Sequence, residues 1–396
     1  MIGLNEKLRM AERPIRVALV GAGYVAGGLF NVIRHVPNMN VVAVYDPDVP
    51  LAERLGVRVL RSPQELSDVE YDVLADADCR AGVGAACACQ AIENGRHVVS
   101  INIECDMTVG PCLARLAAAH NCVYTVTAGD EPGDLKALYD HYALLGFRIV
   151  ALGKGKNNPL QVTATPETVR PSVPANGITA EQVCGFVDGS KTMFEMGCLA
   201  NAIGFAPDIA GMHGPEATLR QLPEIFRAQS QGGILSREGV VDFVTGPELS
   251  GGLFIVVHTD DPRICSDFSY LKIGKGPYFA FYQRFHNWFI DMPLSVARAA
   301  LLREPTLVPL PRATCMVAAV AKRDLSSGEK LDGIGGYCCY GQLRSAAEAE
   351  GLLPHGLTEC ARMKTRVAAG SLLRTADVTL DDRLDLVRLW RQTPVV

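Results

Sequence analysis

An α/β fold built around a doubly wound parallel sheet is predicted by this chain of 396 residues, on three observations. A β-branched apolar run, Arg16 to Val20, enters the glycine-rich turn Gly21-Ala22-Gly23-Tyr24-Val25-Ala26-Gly27-Gly28. Helical spacing follows in Leu29, Val32, Ile33 and Val36, and Pro37-Asn38 stops it. Asn40 to Tyr45 then reads as a second strand closed by Asp46, and strand and helix patterns alternate onward to Leu152.

The first β-α-β unit carries a physical fingerprint. Gly21 permits the tight turn, Gly23 lets the backbone approach a pyrophosphate, and the small Ala26 lets helix and strand pack closely, with Tyr24 and Val25 opening the helix between them. The helix N-terminus then faces the phosphates, which makes this a Rossmann-type dinucleotide site. Asp46 stands 25 residues after Gly21, where a carboxylate can accept hydrogen bonds from ribose hydroxyls, so NAD(H) is favoured. Arg54 nearby leaves NADP(H) open as a second choice.

The alternation continues through a strand at Tyr71 to Ala75, a helix at Val83 to Asn94, a strand at His97 to Ile103, a helix at Gly110 to His120 and a strand at Cys122 to Thr127. A helix at Gly133 to Leu145 and a strand at Phe147 to Leu152 complete it. Ligands of such sheets lie beyond the carboxyl ends of the strands. That rule puts Asp76, Asp78, Asn102 and Glu104 with the cofactor, and Asp130 and Glu131 on the same side. From Gly153 the pattern breaks into Pro- and Gly-rich segments with helices and short strands, and after Pro309-Leu310-Pro311 it turns to short strands. Three domains are expected: a dinucleotide-binding domain over 1–152, an α+β substrate domain over 153–312, and a small, mostly β domain over 313–396.

Composition excludes several classes. With 48% hydrophobic and 20% charged residues the chain is globular, and a net charge of −5 without charge runs argues against nucleic-acid or acidic-membrane partners. No apolar stretch reaches the roughly 18 to 20 residues of a membrane span. Charged residues near the N-terminus interrupt any signal sequence, so a cytoplasmic protein with a small-molecule substrate is expected. The 13 cysteines include no Cys-x-x-Cys and read as reduced core thiols.

Hydride transfer at a carbinol carbon needs a group that handles the hydroxyl proton and a charge that stabilises the alkoxide. Lys154 and Lys156 are spaced by two between Gly153 and Gly155, so both project to one side, with Asn157 and Asn158 adding amide donors for a substrate. Asp188 or Ser190 can cap a helix on which Lys191 and Glu195 form an i, i+4 pair. Lys191 is there the proton donor or acceptor, and Asp188 and Glu195 orient it or hold a cation. Lys272, Tyr278, Tyr282, Arg284 and His286 form a basic and aromatic stretch suited to gripping a carboxylate or phosphate, chiefly through Arg284. A divalent cation, magnesium or manganese, has one nameable hard-ligand set, Asp188 with Glu195 or Glu131, though no spacing fixes the metal ligands.

Gly153-Lys154-Gly155-Lys156-Asn157-Asn158-Pro159-Leu160, Asp188-Gly189-Ser190-Lys191-Thr192, Leu271-Lys272-Ile273-Gly274 with Gly276-Pro277-Tyr278, and Ala321-Lys322-Arg323-Asp324-Leu325 resemble the homoserine-dehydrogenase-like oxidoreductases that carry a C-terminal SAF domain. The resemblance runs from about Arg16 to Leu380. It implies a β-clip fold for the third domain, with a role in roofing the active site or in assembly, and a homo-oligomer. The family includes a second type of 1-deoxy-D-xylulose 5-phosphate reductoisomerase. The expected activity is therefore nicotinamide-dependent oxidoreduction of a small polar hydroxy or keto compound, sugar-derived and with or without a phosphate group. The alternatives are a cation-requiring reductoisomerase and a dinucleotide-binding sensor without turnover.

Overall fold

The computed structural model describes residues 3–393. Strands β1 (Ile15–Val20), β2 (Met39–Tyr45), β3 (Arg58–Leu60), β4 (Val73–Asp76), β5 (His97–Ser100) and β6 (Tyr124–Val126) form one sheet in the order β3-β2-β1-β4-β5-β6, every pair parallel. The order reverses between β1 and β4, and that switch point opens a crevice at the carboxyl ends of the strands. The expected fold class is therefore the observed one. The short edge strand β3 carries too little pattern to be read from sequence. The helix expected to begin at Gly110 starts at Ile103 and runs to Ala119. Its first turns carry Glu104, Asp106 and Thr108, which look like solvent-facing residues but are buried here.

The strand expected over Phe147 to Leu152 forms as β7 (Arg148–Gly155), but it belongs to a second sheet. There it lies antiparallel to β10 (Leu253–His258) and parallel to β9 (Val240–Val244), with β8 (Ala206–Pro207) and β11 (Tyr278–Gln283) at the two edges. The helix Ser190–Ile203, buried almost throughout, fills the space between this sheet and the rest of the molecule. After β11 the chain returns to the first sheet, where Met292, Val296 and Ala299 pack with Val73 and Val99.

The last part contains two antiparallel pairs, β12 (Cys315–Ala321) with β13 (Cys339–Ser345) and β14 (Ala361–Met363) with β15 (Val378–Leu380). It is not a detached appendage. Ala319, Leu325, Leu353 and Leu357 share one hydrophobic core with Ala85, Ala88, Val109 and Leu113 of the first sheet's helices, and Leu386 and Leu389 of the helix Asp385–Gln392 close that core. All thirteen cysteines are free thiols and most are buried, as expected. Among the described residues no helix is long and apolar enough to cross a membrane.

Candidate active site

The glycine-rich turn is built as its sequence requires. Gly21 adopts φ +90, and a Cβ there would stand 3.0 Å from the Ala77 carbonyl oxygen just past β4, so only glycine fits the turn between β1 and the helix that follows. Gly23 is different: a Cβ there would meet no protein atom within 4 Å. Protein packing leaves Gly23 free, and the open space beside it is the crevice. The helix Tyr24–Ile33 begins at Gly23 with no side-chain cap, so its first N–H groups are available to an anion.

That crevice is a cleft of about 670 Å³, lined by Gly21, Gly23, Tyr24, Val25, Asp46, Asp78, Glu104 and Lys191 among others. The size suits a dinucleotide or a drug-sized ligand. Ala26 is fully buried behind the turn. Asp46 Oδ2 accepts the Ala22 N–H at 2.8 Å and Oδ1 accepts that of Asp48 at 2.8 Å, which fixes the carboxylate at the end of β2. Arg80, not Arg54, is its basic neighbour: its guanidinium grips Asp78 and reaches Asp46 Oδ1 at 3.2 Å. Beneath the cleft, burial and the charge of Asp78 push the Asp76 carboxyl up to about 8. Asn102 caps the helix Ile103–Ala119 by accepting the Cys105 N–H at 3.0 Å and donates to the Arg80 carbonyl.

The second half of the site is a buried cluster of charges. Added Cβ atoms at Gly153 and Gly155 would come within 2.0 Å of Asp242 O and 1.6 Å of Leu249 O, so glycine is obligatory on that side of β7 and the lysines face the other. Lys154 Nζ bridges Glu131 and Glu195, the latter at 2.5 Å, with side chains only 4 to 8% exposed. His286 Nε2 lies 3.4 Å from Glu131 Oε1 and joins the cluster. Burial opposes the ammonium of Lys154, but the two carboxylates outweigh it and hold the charge more firmly than usual. Burial likewise works against the charge of Glu131, and Lys154 and His286 override it to keep that carboxylate ionised. Burial, reinforced by Glu131, raises the Asp130 carboxyl well above its ordinary range.

Lys191 enters the same region from the Ser190–Ile203 helix. Its Nζ donates to Glu104 Oε1 at 2.9 Å, a residue 87 positions earlier, whereas the sequence suggested a pair with Glu195 one turn away. Burial lowers its affinity for the proton, but Glu104 and Asp130 more than restore it, so Lys191 stays an ammonium. Glu104 Oε2 and Asp130 Oδ2 are buried without a hydrogen-bond partner among the described residues. Lys156, by contrast, donates to the Phe186 carbonyl at 2.6 Å and has no carboxylate partner among the described residues. Burial and the neighbouring Lys154 bring it down to about 8.

Several expected members lie elsewhere. Asp188 does not orient Lys191: its Oδ2 sits 2.8 Å from Lys322 Nζ and its Oδ1 accepts the Ser190 N–H, tying the second sheet's helix to the third part of the chain. Tyr278 pairs with His258 and donates to Glu238, at the end of the sheet where Arg148 lies, whereas Gln283 shares the register of Lys154. Five residue steps of strand, about 17 Å, separate the two ends. Lys272 and Arg284 are exposed and line no part of the cleft. Asn157 is exposed and Asn158 half-buried, both outside the cleft. The carboxylates named for a cation are held by lysines, and among the described residues no group of three or more His, Cys, Asp or Glu is placed to hold a metal ion.

Sequence reasoning missed Arg80 and Trp288, and it offered the third part a roofing role without naming the residues that line the cleft, Asp332, Gly333, Ile334, Thr358 and Glu359. Glu359 accepts the Gly82 N–H at 2.6 Å, capping the helix Ala81–Glu93 from the far end of the sequence. Arg80 had a signal in its place two residues after Asp78 at a strand's carboxyl end; Glu359 had none.

Residues 129–292 match the model of the oxidoreductase DRL catalytic domain. No curated protein matches the chain. Solved structures similar to it include a probable dehydrogenase from Thermotoga maritima, 12% identical with a TM-score of 0.43, over 74% of this chain and 90% of that one. Another is myo-inositol 2-dehydrogenase from Lactobacillus plantarum, 13% identical with a TM-score of 0.42, over 74% and 91%. The matched segment supplies Glu131, Lys154, Lys191 and Glu195, and the doubly wound sheet precedes it; the chain is an oxidoreductase.

Proposed function

We propose that the chain transfers a hydride between a nicotinamide dinucleotide and a carbinol carbon of a small polyhydroxy compound. The observation that carries this reading is one cleft holding both the Gly21 to Ala26 turn and the Lys191–Glu104 pair. The turn, the uncapped helix start and the open side of Gly23 fit a pyrophosphate, and Asp46 fits the ribose hydroxyls of NAD(H) better than a 2′-phosphate. A nicotinamide bound there supplies the hydride acceptor or donor.

The chain's own groups do the rest. Lys191, kept as an ammonium, hydrogen-bonds the reacting oxygen and stabilises it as it gains negative charge. The unpartnered Glu104 Oε2 takes the hydroxyl proton during oxidation and returns it during reduction. Lys154 is a positioning residue, which fixes Glu131 and Glu195 around the site. Since Lys154 and Lys191 are already paired with carboxylates, the reacting end suits hydroxyls better than a phosphate. The third part of the chain, which the resemblance assigns to a SAF-like β-clip, walls the cleft through Asp332, Thr358 and Glu359.

The test is nicotinamide absorbance with NAD and NADP against a panel of polyols, sugar acids and 1-deoxy-D-xylulose 5-phosphate, with and without magnesium or manganese. Turnover that Lys191→Ala lowers by about a hundredfold or more, with dinucleotide affinity unchanged, is the expected result. Dinucleotide binding without turnover across the panel overturns the catalytic reading in favour of a sensor, and turnover that needs the cation replaces it with the reductoisomerase reading.

A further inference from the structure

Trp288 is held in a conformation that bulky residues avoid. Its φ is +55, in the left-handed region, where a large side chain is an outlier and costs strain that the surroundings must maintain. The surroundings do so by interlocking two loops. The Trp288 N–H donates to the Gly129 carbonyl at 2.6 Å, while Gly129, itself at φ +86, passes so close that a Cβ there would lie 2.2 Å from the Trp288 carbonyl oxygen.

Trp288, on this strained backbone, lines the cleft. Its ring centroid lies 5.7 Å from that of Tyr24, the first helical residue after Gly23, and 5.2 Å from Phe289. Phe289 in turn presses on Gly28, where a Cβ would stand 2.4 Å from the ring, so the helix of the glycine-rich turn has been thinned to receive it. An aromatic wedge delivered after β11 is thus anchored beside the phosphate-binding turn. Gly129 follows β6, on the opposite side of the sheet from Asp46 at the end of β2. The backbone of Trp288 is therefore anchored on the side of the crevice away from Asp46, and its ring stands beside Tyr24 at the glycine-rich turn.

We propose that Trp288, backed by Tyr24 and Phe289, packs directly against the nicotinamide half of the bound dinucleotide and sets its affinity. This rests on the dinucleotide reading above. Two separate facts support it: the strained backbone that carries the ring, and the glycine at position 28 that seats its neighbour. The same loop brings His286 to Glu131, so cofactor contact and the charge cluster are positioned by one segment.

The chain has two tryptophans, Trp288 and Trp390. Trp390 lies on the helix Asp385–Gln392 and is absent from the cleft, so Trp390→Phe isolates the signal. The experiment titrates that protein with oxidised NAD and NADP, which quench indole emission by contact, and measures NADH and NADPH affinity separately from the emission of the reduced nicotinamide. Strong saturable quenching of Trp288 is expected. Trp288→Gly, which suits the left-handed backbone and keeps the fold, is expected to weaken dinucleotide binding about tenfold or more, and Trp288→Phe to restore most of it. Unchanged affinity in Trp288→Gly, or binding without quenching, overturns the role of Trp288 and leaves the dinucleotide reading standing. No binding of any of the four dinucleotides overturns both.

Discussion

Removing the ammonium of Lys154 is expected to destabilise the protein by an amount set by pH. Lys154→Met leaves Glu131 and Glu195 buried side by side with no cation between them, and breaking such a buried pair costs about 3–5 kcal/mol. The chain's cheapest relief is to bind a proton. For a carboxyl whose ordinary pKa is 4.5, taking up a proton costs about 5 kcal/mol at pH 8 and under about 1 kcal/mol at pH 5. The sign follows. In the variant the folded-state carboxyl titrates above its unfolded value, so stability is retained below pH 4.5 and is lost as pH rises. In the wild type Glu131 is held below its ordinary value, so its contribution is present above pH 4.5 and is lost on acidification. The gap between the two proteins therefore widens from pH 5 to pH 8. Urea unfolding followed by circular dichroism at these pH values measures it, and adding Glu131→Gln to the variant should recover most of the loss at pH 8. A gap that stays the same across pH, or a loss under about 1 kcal/mol at pH 8, would mean that Lys154 does not neutralise a buried carboxylate pair.

Gly23→Val should abolish dinucleotide binding while leaving the melting temperature nearly unchanged, because the new side chain enters the cleft and meets no protein atom near its Cβ; calorimetry and a binding titration read the two effects. Gly155→Ala should do the reverse and cost folding itself, since its Cβ would overlap the Leu249 carbonyl oxygen. Asp106, buried beneath Tyr124 and Cys198, is pushed by burial up to about 6, so its ionisation weakens the fold as pH rises from 3.8 through 6. Asp106→Asn should therefore stabilise the protein at pH 8 by up to about 3 kcal/mol and have little effect at pH 4, measured by thermal unfolding at both.

The dinucleotide half of this site is legible in the sequence because it is local. Turn, helix start and Asp46 lie within one β-α-β unit, and the steric reason for each glycine acts over a few residues. The facing of Lys154 and Lys156 is legible for the same reason, since strand alternation settles it. Their partners are not: Glu131 and Glu195 are 23 and 41 positions from Lys154, and Glu104 is 87 from Lys191. Spacing along a helix instead suggests Lys191 with Glu195, a pairing that loses to Glu104 from the start of the helix Ile103–Ala119. Lys272, Tyr278, Arg284 and His286 are neighbours in sequence, but strand register sends Tyr278 to one end of β11 and the exit loop returns only His286 to the cluster. Buried polar residues such as Glu104 and Asp106 also hide the start of their helix, because in a sequence they look like a solvated face.

On the proposed reading, the cleft over Gly21 to Ala26 holds a nicotinamide dinucleotide with its adenosine ribose on the Asp46 side chain. Equilibrium titration of the protein with NADH and with NADPH, following the emission of the reduced nicotinamide, tests it most directly. Saturable binding of both with NADH the tighter, and a preference that Asp46→Ser turns toward NADPH, is the predicted result. Binding of neither reduced dinucleotide to folded protein would contradict it.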